Sequence, residues 1–366
     1  MKHIIFVLPG RDQEPVGGIK VVYEYANNLV KDYKVSILYP NFKFNILKTK
    51  KTCFYKLYHF FGFYIKKLLR IHKAGDWFPL NKNIKKIFCY KISKKIAKKY
   101  KNAVFIATAI ETAYDLNNIG ISKKNGFYLI QDFEAWRGVS DEQVLTSYRF
   151  PLNKIAIAPW LVEKVNSVGE FARLIPNGFD FDYFTLKNPI ENRNPCEIAM
   201  LYHLDDRKRC EDAFSALNIV KSKIPELHIN IFGVPDKPKN LPNWYTYYQR
   251  PNNEIHNFIY NTAAVFVAAS KAEGMALPPA EAMQCGAALC CTDIPGFALY
   301  AKQNETALLS KVYDVNQLAE NILKLIKNNE LRIKIAKTGN EFIQQFTWQK
   351  ATECFKEYLR ECNQDY

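Results

Sequence analysis

The sequence predicts a two-domain α/β chain, on three observations. Its 366 residues exceed what a single hydrophobic core usually fills. Short apolar runs alternate with helix-length stretches, as at Glu197 to His203, Leu227 to Gly233 and Val265 to Ala269, which gives a parallel sheet with crossover helices. The stretch Val265 to Thr292 condenses that alternation into one strand–loop–helix–strand unit.

In that unit the run Val265 to Ala269 is β-branched and apolar, and a polar loop follows from Ser270 to Leu277. Pro278 and Pro279 open a helix, where a missing N–H is cheap, and Gly286 ends it. Ala287 to Cys291 is the next strand. Two glutamates lie at the ligand-facing end: Glu273 in the loop and Glu281 in the expected first helical turn. In an open α/β sheet ligands bind beyond the carboxyl ends of the strands, and a helix start offers N–H groups to an anion. An anion cradle with two hydroxyl acceptors suits a nucleotide-sugar. The plain alternative, a helix-start carboxylate and a solvated loop residue, would prevail for an isolated pair.

From the start of the chain, IIFVL reads as a first strand, too short for a signal or a membrane span. Gly17 and Gly18 then let a backbone approach a phosphate before a helix over Val21 to Val30, although a plain turn explains a lone Gly pair as well. Nine cysteines with no CxxC pair suit reduced thiols in a cytoplasm.

Residues 41–102 differ in composition. Eighteen Lys or Arg stand against one acid, Asp76, a balance of +17 in a chain of +15. At about 100° per residue, Lys56, His59, Lys66, Lys67 and Arg70 share one side of a helix, and Leu57, Tyr58, Phe61, Tyr64, Ile65 and Leu68 the other. Lys91 to Lys101 repeats the pattern. Two readings stand level: a membrane-surface element using Lys56, Lys66, Lys67 and Arg70, or a solvated basic face over an ordinary core. Nucleic acid ranks last, without a zinc-finger, RRM or KH signature.

Ala103 to Ala109 and Gly126 to Ile130 are further strands, the second leading into Gln131, Asp132, Phe133 and Glu134. Helices are expected over Arg209 to Lys221, Asn253 to Asn261, Val315 to Lys327 and Leu331 to Phe346, and a short strand over Tyr245 to Tyr248.

The flanks of the central unit carry a resemblance. EGMALPPAEAMQCGAAL resembles the EGFGLP..EAMACG.PVV signature of retaining glycosyltransferases of family 4. GGIKVVYEYANNL, IPNGFDFDYF and FTWQKATECFKEYL extend the likeness over most of the chain outside residues 41–100, and YLIQDFEAW is similar to the rhamnosyltransferase branch. The resemblance implies a GT-B fold: two Rossmann-like domains facing across a cleft, with a C-terminal helix crossing back to the first. It divides the chain into an acceptor-binding domain (1–178, with the basic aromatic insert 41–102), a nucleotide-sugar-binding domain (179–346) and a last helix (347–366).

By resemblance, Glu273 and Lys208 serve catalysis. Glu273 holds sugar hydroxyls, and Lys208 faces the donor diphosphate. Gly18, Gly274, Met275, His203, Arg207 and Arg250 line the donor, and Glu281 holds its ribose. Here the chain departs from the family pattern, for His203 falls near an arginine position and Arg209 replaces a glycine. Gln131 and Asp132 stand where many members carry a histidine. Asp132 and Glu134 are candidates to orient the acceptor, with loop capping as the equal alternative. Asp180-Phe181-Asp182 spells a DxD but falls in the linker motif, so neither a metal nor another cofactor is expected.

The implied reaction moves a hexose or deoxyhexose from a nucleoside diphosphate to a hydroxyl of a glycan or lipid-linked acceptor, in bacterial surface polysaccharide synthesis. The expected location is cytoplasmic, on the anionic inner face of the cell membrane, without nucleic acid as a partner. A phosphorylase-like reaction and a non-catalytic module binding anionic lipid or nucleic acid are the alternatives.

Overall fold

The computed structural model describes residues 2–11, 14–42, 44–47, 52–69, 71–136 and 138–363. The backbone divides into two compact units, Met1–Asn177 with Trp348–Tyr366, and Gly178–Thr347. Each unit is a wholly parallel sheet with crossover helices.

In the first unit the elements run β1 (His3–Val7), α1 (Gly17–Leu29), β2 (Lys34–Phe42), α2 (Cys53–Leu68), β3 (Lys85–Lys91), α3 (Lys94–Lys99), β4 (Ala103–Ala107), α4 (Ile110–Asn118), β5 (Gly126–Ile130), α5 (Asp141–Tyr148), β6 (Asn153–Ala156), α6 (Pro159–Asn166) and β7 (Ala172–Leu174). The sheet order β3-β2-β1-β4-β5-β6-β7 reverses direction between β1 and β4. Strands such as β4 and β5, apolar throughout, are buried at every residue, as strands covered on both faces must be.

In the second unit come β8 (Glu197–Leu201), α7 (Cys210–Lys223), β9 (His228–Gly233), β10 (Tyr245–Gln249), α8 (Asn253–Thr262), β11 (Val265–Ala268), α9 (Leu277–Gln284), β12 (Ala288–Thr292), β13 (Ala307–Ser310), α10 (Val315–Lys327) and α11 (Asn329–Ile343). The order β10-β9-β8-β11-β12-β13 reverses between β8 and β11. One core gathers Ile198, Ile229, Val265 and Val267 of the strands with Leu217 of α7 and Ile322 and Leu325 of α10. Gly286, at φ +91, ends α9, and a Cβ there would lie 2.7 Å from Leu186 and 2.9 Å from Ile190, so only glycine fits this turn.

The last helix, α12 (Trp348–Cys362), belongs to the first unit. Its Phe355 ring lies 4.9 Å from Tyr25 on α1 and 6.3 Å from Phe6 on β1, and Trp348 meets Tyr25 edge-on at 5.3 Å.

Several expectations need correcting. The basic segment 41–102 is not an insert apart from the sheet: β2 reaches Phe42, and β3 is an edge strand paired with it. Of the Lys91–Lys101 amphipathic helix only the six residues of α3 are helical, because Lys85–Lys91 is drawn into the sheet. Gly17 and Gly18 are not in a loop; they are the first two residues of α1. Leu277, ahead of the prolines, starts α9, which places Glu281 fifth in the helix and outside its first turn.

The apolar side of α2 is not core either. Phe63 is buried against His72 and Tyr90, and His59 meets Phe42 at 5.6 Å, so it is the row of His59 and Phe63, between the lysines, that turns inward. The aromatic side faces out, with Phe54 at 79% exposure and Leu68 at 83%. Arg70 and the Lys56 side chain lie outside the described residues.

Candidate functional site

In the second unit, the reversal between β8 and β11 leaves a crevice at the carboxyl ends of these strands, where doubly wound sheets bind ligands. The loop after β8 carries His203 to Arg209, and the loop after β11 carries Ser270 to Ala276. A small cavity between them is lined by Met200 and Leu201 of β8, Val267 and Ala268 of β11, and Lys208, Glu273, Pro278 and Pro279.

Lys208 and Glu273, 65 residues apart, meet across this crevice. The Lys208 ammonium donates to Glu273 Oε1 at 2.6 Å, and Ser270 Oγ donates to the same oxygen at 2.7 Å. The pair is mostly shielded from water, at 20% and 11% side-chain exposure, so its geometry counts for more than a surface pair's would. Ser270 is a residue that sequence reasoning missed. Its carbonyl in turn accepts from Thr292 Oγ1 at the end of β12, which ties the loop to the sheet.

Gly296 was missed too. A Cβ at that position would lie 2.6 Å from Glu273 Cβ and closer still to its carbonyl oxygen, so the segment after β12 forms a shelf against which Glu273 rests. At the other end of the loop, Tyr300 OH donates to the Ala276 carbonyl at 2.8 Å.

The neighbouring cations are already occupied. Arg207 grips Asp205 through Nη2 at 2.9 Å and Nε at 3.1 Å, and its carbonyl accepts from Lys271 N at 2.8 Å. Lys271 pairs with Asp206. Arg209 sits in the left-handed region at φ +46, which explains why the family pattern has glycine there. Its guanidinium is held by Asp206 at 2.6 Å and Asp212 at 2.8 Å and lies 5.1 Å from the Tyr313 ring. His203 Nδ1 accepts from the Asp205 N–H at 2.9 Å, and burial followed by Lys208 pushes its pKa below the usual histidine value. The ring is therefore neutral at pH 7 and adds no charge to the crevice.

Glu281 is 5% exposed and accepts from Tyr260 OH at 3.1 Å inside the unit. Burial, then Glu281, drives the Tyr260 phenol well above its ordinary pKa, so it remains a donor. Prolines at the second and third positions of α9 leave that end of the helix short of donors. Leu277 and the residues before it, which include Gly274 and the buried Met275, lead into that end of the helix. Arg250, at φ +47, follows β10 and donates its N–H to the Gly233 carbonyl at 2.8 Å.

In the linker motif, Asp180 Oδ1 accepts from the N–H groups of Asp182 and Tyr183 at 3.1 Å each, which makes it a turn cap. Among the described residues no group of three or more His, Cys, Asp or Glu is placed to hold a metal ion.

In the first unit, Gly18 approaches Gln131, whose amide oxygen would be 3.4 Å from a Cβ at position 18. Gln131 Nε2 donates to the Thr108 carbonyl at 3.2 Å, while its amide oxygen is buried with no hydrogen-bond partner among the described residues. Glu134 accepts from Ile110 N at the start of α4, and Asp132 Oδ1 from Phe133 N at 2.8 Å. Both acceptor candidates thus serve as backbone caps.

Residues 185–342 match the family described as Glycosyl transferases group 1. Among curated proteins, an uncharacterised glycosyltransferase of Methanocaldococcus jannaschii is 31% identical over 98 residues, 27% of this chain, and the O-antigen chain mannosyltransferase B of Escherichia coli is 28% identical over 109 residues, 30% of this chain. The chain spans 28% of the length of each of these relatives. Solved structures match nearly end to end. Sucrose-phosphate synthase of Thermosynechococcus elongatus superposes with a TM-score of 0.72 at 15% identity, covering 99% of both chains. HepE of Anabaena in complex with UDP-glucose gives 0.73 at 13% identity, covering 99% of this chain and 100% of that one. The whole chain thus has the GT-B fold, and its residues 185–342 match the glycosyl transferases group 1 family.

Proposed function

We propose that the protein is a glycosyltransferase that moves a hexose or deoxyhexose from a nucleoside diphosphate to a hydroxyl of a glycan or lipid-linked acceptor. The reading rests on one observation: the Lys208–Glu273 pair at the β8/β11 reversal of a glycosyl transferases group 1 domain. Family 4 membership, retention at the anomeric carbon and the rhamnosyltransferase branch come from the motif resemblance. A role in surface polysaccharide synthesis accords with the O-antigen mannosyltransferase relative. The UDP-glucose held by HepE makes a nucleoside-diphosphate hexose a fitting first donor to try.

In this reaction negative charge grows on the diphosphate as the sugar becomes oxocarbenium-like. Lys208 exchanges Glu273 for the leaving phosphate, and the released carboxylate takes sugar hydroxyls. A fixed cation at a developing charge is the largest single lever available to such a site. Glu281 holds the ribose through its carboxylate. Lys208 stands in for a divalent metal, so turnover survives EDTA. The peripheral location on an anionic membrane face belongs to the same reading and rests on the charge of residues 41–102.

A thermal-shift screen over UDP, GDP, dTDP and CDP, followed by hydrolysis of the matching nucleotide-sugars, tests the proposal. Saturation at a hundred times the dissociation constant adds about 2.7 kcal/mol of stability. A protein that none of the four stabilises, and that hydrolyses no nucleotide-sugar, is not this enzyme. Transfer to inorganic phosphate would favour the phosphorylase-like alternative.

A further inference from the structure

The outward face of α2 is apolar along its length. At about 100° per residue, Phe54, Leu57, Tyr58, Phe61, Ile65 and Leu68 fall within roughly a third of the circumference, opposite Phe63. They are 79%, 52%, 70%, 55%, 55% and 83% exposed, while Phe63 is 3% exposed. No charged residue interrupts this stripe. Lys66 and Lys67 are exposed and flank the packed row, and Lys67 lies 5.9 Å from the Tyr64 ring. A soluble monomer rarely leaves so many large apolar side chains together in water.

Charge decides what covers the stripe. Residues 41–102 carry eighteen cations and one acid, so a second copy docked face to face would bring like charges together. Nucleic acid would need cations where this face presents rings and aliphatic chains. A surface that takes apolar groups beneath a negatively charged layer satisfies both features.

We propose that α2 lies in the plane of an anionic bilayer, with this stripe sunk among the upper acyl chains and Lys66 and Lys67 reaching sideways to the headgroups. This sharpens the membrane location stated above, but it rests on α2 alone and needs no sugar transfer. The aromatic face is the anchor and the lysines are auxiliary, the reverse of adsorption through a basic face.

Co-sedimentation with phosphatidylcholine vesicles, with and without phosphatidylglycerol, tests it, with nucleotide-sugar hydrolysis measured in solution on the same proteins. Wild type should sediment with the phosphatidylglycerol vesicles and keep part of its binding in high salt. Phe61→Ser with Ile65→Ser should lower partitioning about a hundredfold, and Lys66→Ser with Lys67→Ser roughly thirtyfold. Both pairs are at the surface, so thermal midpoints should hold. The emission of Phe61→Trp should shift to the blue on anionic vesicles. The proposal is overturned if wild type ignores these vesicles at low salt, if Phe61→Ser/Ile65→Ser binds them as well as wild type, or if the same pair dissolves a dimer instead. Vesicle binding without hydrolysis would overturn the enzymatic reading alone; hydrolysis without vesicle binding would overturn this one alone.

Discussion

In the second unit the strands flanking the reversal, β8 and β11, lead into loops that close the Lys208–Glu273 ion pair. In the first unit the equivalent strands, β1 and β4, lead to Gly18 and Thr108, with Gln131, just after β5, beside both. The topology is shared and the chemistry is opposite. One edge holds a lysine–carboxylate ion pair, whereas at the other the Asp132 and Glu134 carboxylates cap backbone N–H groups beside the neutral Gln131 amide. Shared topology therefore places a binding edge without deciding what it binds, which falls to loop residues that the strands do not specify. On the proposed reading, the charged edge takes the leaving diphosphate.

The largest expected effect strikes the charged edge. Lys208→Ala should cut kcat/KM for a nucleotide-sugar about 100- to 1,000-fold, the scale of losing one fixed charge-stabilising donor. Initial rates read this, and an undiminished rate would leave the two edges chemically indistinguishable.

A glycine on each side gives a second contrast, in stability. Gly296→Ala drives a Cβ into the Glu273 backbone and should cost roughly 1–3 kcal/mol in urea unfolding, as overpacking does. Gly18→Ala meets only the Gln131 amide at 3.4 Å, in the first turn of α1, and should be neutral or add up to about 1 kcal/mol. Shifts of equal size and sign would erase the distinction.

The smallest effect lies at the base of the first sheet. His3 donates or accepts a hydrogen bond with Ser36 Oγ at 2.9 Å, and burial, then Lys34 and Lys85, lower its pKa to about 4. The unfolded chain protonates near 6.5 and the folded unit resists until about 4, so the unfolded state binds the extra proton between them. Stability from this residue is whole above pH 6.5 and is lost as pH falls through that window. His3→Gln should flatten the slope of the urea midpoint against pH over this range. An unchanged slope would place the acid sensitivity elsewhere.

The strand–loop–helix–strand unit was legible because apolar runs of strand length are punctuated there by Pro and Gly, whose backbone limits are local. Gly286 is such a case. The Lys208–Glu273 contact was not legible as a contact, since no periodicity links residues so far apart; only the motif resemblance singled out both. Gly296 serves a neighbour across the loop, a role that leaves no local trace. Glu281 was misplaced by one residue, Leu277, that joined the helix ahead of its prolines. For α2, periodicity correctly separated a basic from an aromatic side but could not say which faces in. That depended on β3, whose sequence KKIFCYK hides a half-buried edge strand between lysines.

The place of α12 has a consequence for synthesis. Residues after 347 finish a core that the first 177 begin, with Phe355 and Leu359 fully buried in it. A ribosome releases the first unit's strands early, yet that unit cannot close until the last helix emerges. The second unit, encoded within a single stretch, is complete first. The usual amino-to-carboxyl order of domain maturation is thereby inverted, and the nascent first unit must wait with the Tyr25 side of α1 uncovered, a natural station for a chaperone.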